Sequence, residues 1–320
     1  MTGIGVMRWA HDPGPPRFSG MFNLGFHLGR HLGRELLQIV SRAGATLAGA
    51  LLVIGCTGPS KTANTTPALR VYVLECGNVT INDLSLLTPG EDEGTAKKLT
   101  NSCFLIDHPK GKLLWDTGID DRLGPEPVTV FNGGFDLSVT KPLLPQLEEI
   151  GVTPDEVDFL ALSHFHDDHS GNANHFGGAT LLIQRAEFDA AFGPNPELYG
   201  FDAKSYAELS AERARVLEGE HDVFGDGRVR ILPAPGHSPG HQVLFIELEQ
   251  TGPVVLSGDL YHFTGARERR TVPSFNADEA ATRASMMAIE SFLEARGATL
   301  WIQHDFEQIS SLRHAPAYYD

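Results

Sequence analysis

An α/β fold, with strands gathered into sheets and helices laid outside them, is what the sequence predicts. Two observations carry that expectation. From Leu69 onward, short apolar runs alternate with stretches of helical spacing, and turn residues punctuate the two. One run, VDFLALS at 157–163, is apolar enough to be a strand covered on both faces, a position strands reach only between layers. The chain has 320 residues, 41% hydrophobic and 21% charged, which suits a folded globular protein of one large domain or two ordinary ones.

The elements follow in order. LRVYVLEC (69–76) reads as a strand, and SCFLIDHPKGKLLWDTG (102–118) as a hairpin turning at Pro109, Lys110 and Gly111. KPLLPQLEEIG (141–151) has helical apolar spacing and a closing glycine. After the run at 157–163 come ATLLIQ (179–184), RVRILPA (228–234), HQVLFIEL (241–248) and PVVLSGD (253–259), all strand-like. A long helix is expected from Asp278 to Arg296, then a last strand, ATLWIQH (298–304). Between about 186 and 220 the pattern loosens, and Phe188, Phe192, Tyr199, Phe201 and Tyr206 crowd together. That density suits an apolar lid over a pocket, or a packed excursion.

The N-terminus is of another kind. Arg30, Arg34 and Arg42 precede AGATLAGALLVIGC, an uncharged stretch ending at Cys56 that is too short to span a bilayer, which takes roughly 20 residues. A positive flank before such a stretch reads as a signal peptide over residues 1–56, with Met21 as an alternative start. Val53-Ile54-Gly55-Cys56 resembles a bacterial lipobox, and residues 57–68 then read as a polar tether. The expected location is the bacterial cell envelope, lipid-anchored or periplasmic, with the membrane met only through that lipid. An unprocessed N-terminus would leave the chain cytoplasmic.

A formal charge of −16 without a long acidic run repels phosphate backbones, so a nucleic-acid partner is not expected. Arg267, Arg269 and Arg270, interrupted by Glu268, read as a solvated loop or as an anion contact. Three cysteines are too few for a disulfide framework. Cys76 and Cys103 are expected as small buried apolar residues, with a bridge between them as the alternative in an oxidising compartment.

The chemistry is concentrated in SHFHDDHSGN (163–172), directly after the buried strand. On an extended turn His164 and His166 share a side and can grip one metal, while Asp168 and His169 present to a neighbouring point. A cation would offset the cost of burying them. Asp167 is expected to face solvent. The missing donors stand at strand ends or beside them: His237 in APGHSPGH, Asp259 ending VVLSGD, and His304 ending LWIQH.

H-x-H-x-D-H followed by separated His, Asp and His resembles the metallo-β-lactamase-like superfamily, over residues 69–320. The resemblance implies a four-layer αββα sandwich with a dinuclear site at the sheet edges. By position it gives His164, His166 and His237 to one metal, and Asp168, His169 and His304 to a second, with Asp259 bridging. Asp116, in WDTG, matches an aspartate that supports a ligand histidine. His241 reads as structural. The metals are expected to be two divalent ions, zinc first, with manganese, iron or cobalt also suited to such donors.

Within the superfamily, PGHSPGHQVLFIE, SGDLYHF and IQHD look most like the N-acyl-homoserine lactonases, the quorum-quenching branch. A cysteine at position 259 would mark the main β-lactamases, and a glutamate at 166 the flavin-linked diiron reductases. The expected activity is therefore opening of a homoserine lactone ring by a metal-bridging hydroxide, in a protein that allows a homodimer. The alternative is another hydrolase of the fold: a glyoxalase II-like thioesterase, a phosphotriesterase or a β-lactamase. Asp168 is the expected proton carrier to the leaving alkoxide. Tyr261 is expected either as a donor to the carbonyl or as a core tyrosine; the lactonase tyrosine stands one residue further from the bridging aspartate.

Overall fold

The computed structural model describes residues 68–320. The expected signal peptide and all but the last residue of the expected tether lie outside those residues. Among the described residues, no helix is long and apolar enough to cross a membrane.

Among the described residues, thirteen strands form two sheets. They are β1 (Arg70–Ile81), β2 (Lys97–His108), β3 (Gly111–Trp115), β4 (Val128–Val130), β5 (Phe135–Ser138), β6 (Phe159–Ala161), β7 (Thr180–Gln184), β8 (Arg215–Leu217), β9 (His221–Asp222), β10 (Val229–Pro233), β11 (Gln242–Leu248), β12 (Gly252–Leu256) and β13 (Thr299–Trp301). The first sheet runs β4-β5-β1-β2-β3-β6-β7-β8 and the second β13-β12-β11-β10-β9. The first is antiparallel from β4 to β3 and parallel from β3 to β8. In the second, only the β12–β13 pair is parallel.

The helices are α1 (Leu143–Glu149), α2 (Asp167–Ser170), α3 (Arg185–Ala191), α4 (Thr264–Arg269), α5 (Glu279–Arg296) and α6 (Phe306–Ser310). Side-chain alternation sorts the strands between layers. Val71, Val73, Phe104 and Trp115 meet Ile231, Leu244, Leu256 and Trp301 in the core between the sheets. Leu74, Leu105 and Leu114 point the other way, onto Leu143 and Leu147 of α1 and Ala190 and Ala191 of α3. On the far side, Met286, Ile289 and Leu293 of α5 cover Val243, Val255 and Leu300. Each such large aliphatic side chain contributes roughly 1.5–3 kcal/mol on burial. The result is the αββα sandwich. Asp278 caps the start of α5 by accepting from Ala281 N at 2.9 Å, and Gly297, with φ +60°, ends it.

The hairpin of β2 and β3 turns where the sequence placed it. Residues 128–138, which carry no strong alternation, nevertheless form the β4–β5 hairpin on the outer edge beside β1. Cys76 and Cys103 are joined in a disulfide, the alternative rather than the first expectation. A register shift between Glu75 and Gly77 inserts Cys76 as an extra residue in β1, within reach of Cys103 on β2. That same bulge leaves the Cys76 carbonyl free to accept from Ile119 N at 3.0 Å. Gly118, at φ +70°, has to be glycine here, because a Cβ would lie 2.3 Å from that of Cys76.

Candidate metal centre

Every candidate donor lies on a segment that has just left a strand, at one end of the sandwich. β6 stops at Ala161, and residues 162–166 leave it as a loop that carries His164 and His166 into the one-turn helix α2, which bears Asp168 and His169. His237 lies between β10 and β11, Asp259 in the turn after β12, and His304 just past β13. The loop is tied down on both sides. Ser163 N donates to Asp116 Oδ1 at 2.6 Å, and Phe165 N donates to Glu187 Oε1 at 3.1 Å. Glu187 Oε2 also accepts from Ser238 Oγ and Gly240 N, so one buried carboxylate holds the His164 and His237 loops together.

The side chains converge in two groups. His164 Nε2, His166 Nδ1 and His237 Nε2 stand 2.8–3.1 Å from one another. Beside them, His169 Nε2 and His304 Nε2 are 3.1 Å apart, each 3.6 Å from Asp168 Oδ2. Asp259 lies between the groups. Its Oδ1 is 3.1 Å from His169 and 3.0 Å from His304, and its Oδ2 is 3.3 Å from His237. All of these residues are buried except His166 and Asp168, which are half-buried; Asp167 faces solvent.

The other nitrogen of each ring is engaged outside the cluster. His166 Nε2 donates to the Tyr199 carbonyl (3.1 Å) and His304 Nδ1 to the Thr100 carbonyl (2.7 Å). His169 Nδ1 donates to Asp116 Oδ2 (2.9 Å), and His237 Nδ1 faces Asn276 Oδ1 (2.9 Å). His164 Nδ1 faces Ser163 Oγ at 3.0 Å. A neutral imidazole has a single N–H, so the nitrogens facing inward present lone pairs. Lone pairs crowded at about 3 Å around a buried carboxylate repel unless cations lie among them. Asp259 Oδ1, buried and without a hydrogen-bond donor, is orphaned in the same sense. The donor set therefore fits divalent metal, and nitrogen and carboxylate donors of this kind suit zinc.

The electrostatics separate the two groups. Burial holds His164 and His237 well below the usual imidazole range. Burial acts on His169 and His304 too, but Asp259 and Asp168 outweigh it and raise both. Asp259 is held well below the usual carboxylate range by His169 and His304 despite its own burial.

Tyr261 is not brought to this cluster. It packs with Leu260, Val272, Met286 and Ile289 in the layer under α5, and its hydroxyl lies beside the Glu290 carboxylate. The short turn at Gly258–Leu260 rotates the chain so that the next residue, His262, faces inward instead. His262 Nε2 is 3.1 Å from Asp259 Oδ2, and its ring stacks on His304. Sequence reading passed over His262, although its i,i+3 spacing from Asp259 could have found it. His241 is structural, as expected. Its Nδ1 donates to the Ala234 carbonyl and its Nε2 accepts from Asp259 N.

Of the aromatic segment, Phe188, Phe192 and Tyr206 pack with Phe165 in the core. Tyr199 is exposed beside His166, and Phe201 sets its ring 5.6 Å from that of His166. The arginines at 267 and 269 are engaged in ion pairs with Glu290 and Asp92.

Comparison with known proteins agrees with this geometry. The family model of the metallo-beta-lactamase superfamily matches residues 97–300. The chain is 27% identical over 261 residues to the N-acyl homoserine lactonase AttM of Azorhizobium caulinodans, covering 79% of this chain and 99% of that protein. It is 30% identical over 265 residues to the N-acyl homoserine lactonase AiiA of Bacillus thuringiensis subsp. kurstaki, covering 78% and 98%. A structure of a B. thuringiensis AiiA variant with N-decanoyl-L-homoserine at its active site is similar at a TM-score of 0.69 and 26% identity, over 78% of this chain and 99% of that one. An N-acyl homoserine lactone hydrolase with the product N-hexanoyl-L-homoserine at its metal centre is similar at 0.68 and 25%, over the same shares.

Proposed function

Because the chain belongs to the metallo-beta-lactamase superfamily, we propose that it is a metal-dependent hydrolase that opens the lactone ring of N-acyl-homoserine lactones. The observation that carries this reading is the division of labour at Asp259, with one carboxylate oxygen toward each donor group. The activity named for relatives that match nearly their whole length supports the substrate class.

His164, His166 and His237 would hold one divalent ion, and Asp168, His169 and His304 a second, with Asp259 between them. Such a pair supplies hydroxide at neutral pH and polarises an ester carbonyl. The protein's own part is to keep the donors fixed. The Asp116 carboxylate orients His169 through Nδ1, and Gln303 Nε2 steadies Asp116 by donating to Oδ2 at 2.8 Å. Asp168 is the less buried of the two carboxylates, with Asn101 Nδ2 donating to its backbone carbonyl at 2.6 Å. Its role in this reading would be to carry a proton to the ring oxygen as the ester C–O bond breaks. A glutathione thioester, being anionic, would call for several free cationic side chains, and of the cluster at 267–270 both Arg267 and Arg269 are engaged in ion pairs, which leaves Arg270 alone.

We place the protein in the cell envelope, on the reading of residues 1–56 as a signal peptide ending in a lipobox. The Cys76–Cys103 bridge supports an oxidising compartment.

The test is acid release by the purified full chain on a short- and a long-chain N-acyl-homoserine lactone, with metal content measured on the same sample. Hydrolysis with about two metals per chain, abolished in Asp259→Ala, is the expected outcome. Two bound metals with neither lactone consumed would overturn the substrate assignment.

A further inference from the structure

Glu187, on α3, is 0% exposed, and its buried neighbours on that helix are Ala190 and Ala191. Burying a carboxylate is costly, and packing alone would be served by an apolar side chain. Its hydrogen bonds go to residues beside the candidate donors. Oε1 accepts from Phe165 N at 3.1 Å, and Phe165 is the residue between His164 and His166. Oε2 accepts from Ser238 Oγ at 2.7 Å and from Gly240 N at 2.8 Å, and Ser238 directly follows His237. The three histidines of one donor group thus sit on two loops, one from each sheet, and a single side chain reaches both.

The contact calls for this residue type. Its partners are two N–H groups and a hydroxyl, and a carboxylate can receive all of them because both of its oxygens accept. A glutamine would turn an NH2 toward some of the same donors. Gly240 is fixed by the same approach, since a Cβ there would lie 2.3 Å from Glu187 N. The SPG of APGHSPGH therefore presents a hydroxyl and an N–H to Glu187 right after supplying His237. Gln242 closes the same seam lower down, its Nε2 donating to Leu162 O at 2.8 Å and its N to Ser163 O at 3.0 Å. Those bonds meet the loop before His164, whereas Glu187 holds the peptide between two histidines. The other donor group is fastened elsewhere: His169 by Asp116, His304 by Thr100 and Asp168 by Asn101.

We propose that Glu187 is a positioning residue that sets the affinity of one ion, that of His164, His166 and His237, and leaves the other unaffected. The inference rests on the two-ion reading above and deepens it. The inward nitrogens of these three histidines stand 2.8–3.1 Å apart, close enough for their lone pairs to repel. Without the clasp the two loops would relax away from each other. With it, an arriving ion finds three donors already gathered and does not bear the cost of bringing them together.

The test loads the full chain, Glu187→Gln and Ser238→Ala with cobalt(II). Ion content after dialysis, affinity by competition with a chromophoric chelator, and the visible absorption of the bound cobalt are measured. Unfolding of the chelator-treated proteins separates loss of fold from loss of positioning. The wild type is expected to hold two ions. Glu187→Gln should hold one of them about 10–100-fold more weakly and the other within about twofold of wild type. The absorption it loses first should match the absorption missing from His166→Asn. Ser238→Ala removes one of the three hydrogen bonds, so it should weaken the same ion by a smaller factor, and it carries the test if Glu187→Gln does not fold. Two ions held as in wild type, or both weakened alike, overturns the assignment, the second by making Glu187 a support of the fold as a whole. A wild type that takes up a single ion overturns the two-ion reading as well.

Discussion

The backbone N–H of Asp259 donates to His241 Nε2 at 2.8 Å, so the residue between the two donor groups hangs from a buried imidazole whose ring packs beside His164 and His237. Gly258 makes the approach feasible. At φ +48°, a Cβ there would come within 2.5 Å of His241 Nε2. Burial pushes His241 down to about 4, which keeps the accepting nitrogen unprotonated at neutral pH. His241→Phe should therefore cost about 1–3 kcal/mol of stability by leaving the Asp259 N–H unpaired. It should also weaken metal binding, read by competition with a chromophoric chelator. Unchanged metal affinity would mean that Asp259 is held by its neighbours without this bond.

Glu187 gives the fold a pH dependence of definite sign. Burial raises its carboxyl to about 7, against three hydrogen bonds that pull it down. A group raised in the folded state contributes stability that is fully present below its unfolded value, near 4.5, and is lost as pH rises through 7. Across that window the loss is about 3 kcal/mol at most. Urea unfolding of the chelator-treated protein from pH 5 to 8.5 should show the wild type losing more stability than Glu187→Gln. Parallel profiles would mean that Glu187 is already ionised at pH 5.

The Cys76–Cys103 bridge closes a loop with a sequence separation of 27. Loop entropy alone puts its contribution at about 3.5 kcal/mol. Cys103→Ser should lower the unfolding midpoint accordingly, while wild type and variant converge in excess dithiol. The effect should reach the centre, because Asn101 and Thr100, just before Cys103, hold the Asp168 and His304 backbone and ring.

Tyr261→Phe should leave lactone turnover within about twofold of wild type and change stability by about 1 kcal/mol or less. Its hydroxyl lies beside Glu290, in the layer beneath α5 and away from the cluster. A large fall in kcat would place the phenol in the reaction after all.

The layered fold and the convergence of the donors were legible because both rest on local patterns: apolar runs for strands, and polar residues that serve no packing purpose at strand ends. His164, His166, Asp168, His169, His237, Asp259 and His304 all stand out in that way. What stayed hidden depends on rotation and register. Whether Tyr261 or His262 faces inward is decided by one irregular turn at Gly258–Leu260, and no period extends through it. Pairing of Cys76 with Cys103 needs a bulge that shifts one strand by a single residue. The hairpin at 128–138 takes its place from β1 beside it rather than from its own alternation.

The anchoring of these donors on both sheets bears on how a bound ion could leave. His164 and His169 follow the first sheet, while His237, Asp259 and His304 follow the second, and Trp115 Nε1 donating to Gln303 Oε1 at 2.8 Å joins the two beneath them. No single loop can swing aside and release a full set of ligands. Escape of an ion then requires the two sheets to part at that end, an excursion much rarer than the fraying of a surface loop. Chelator stripping should accordingly be slow and should speed up with mild denaturant, its timescale set by opening of the sandwich rather than by the strength of the chelator.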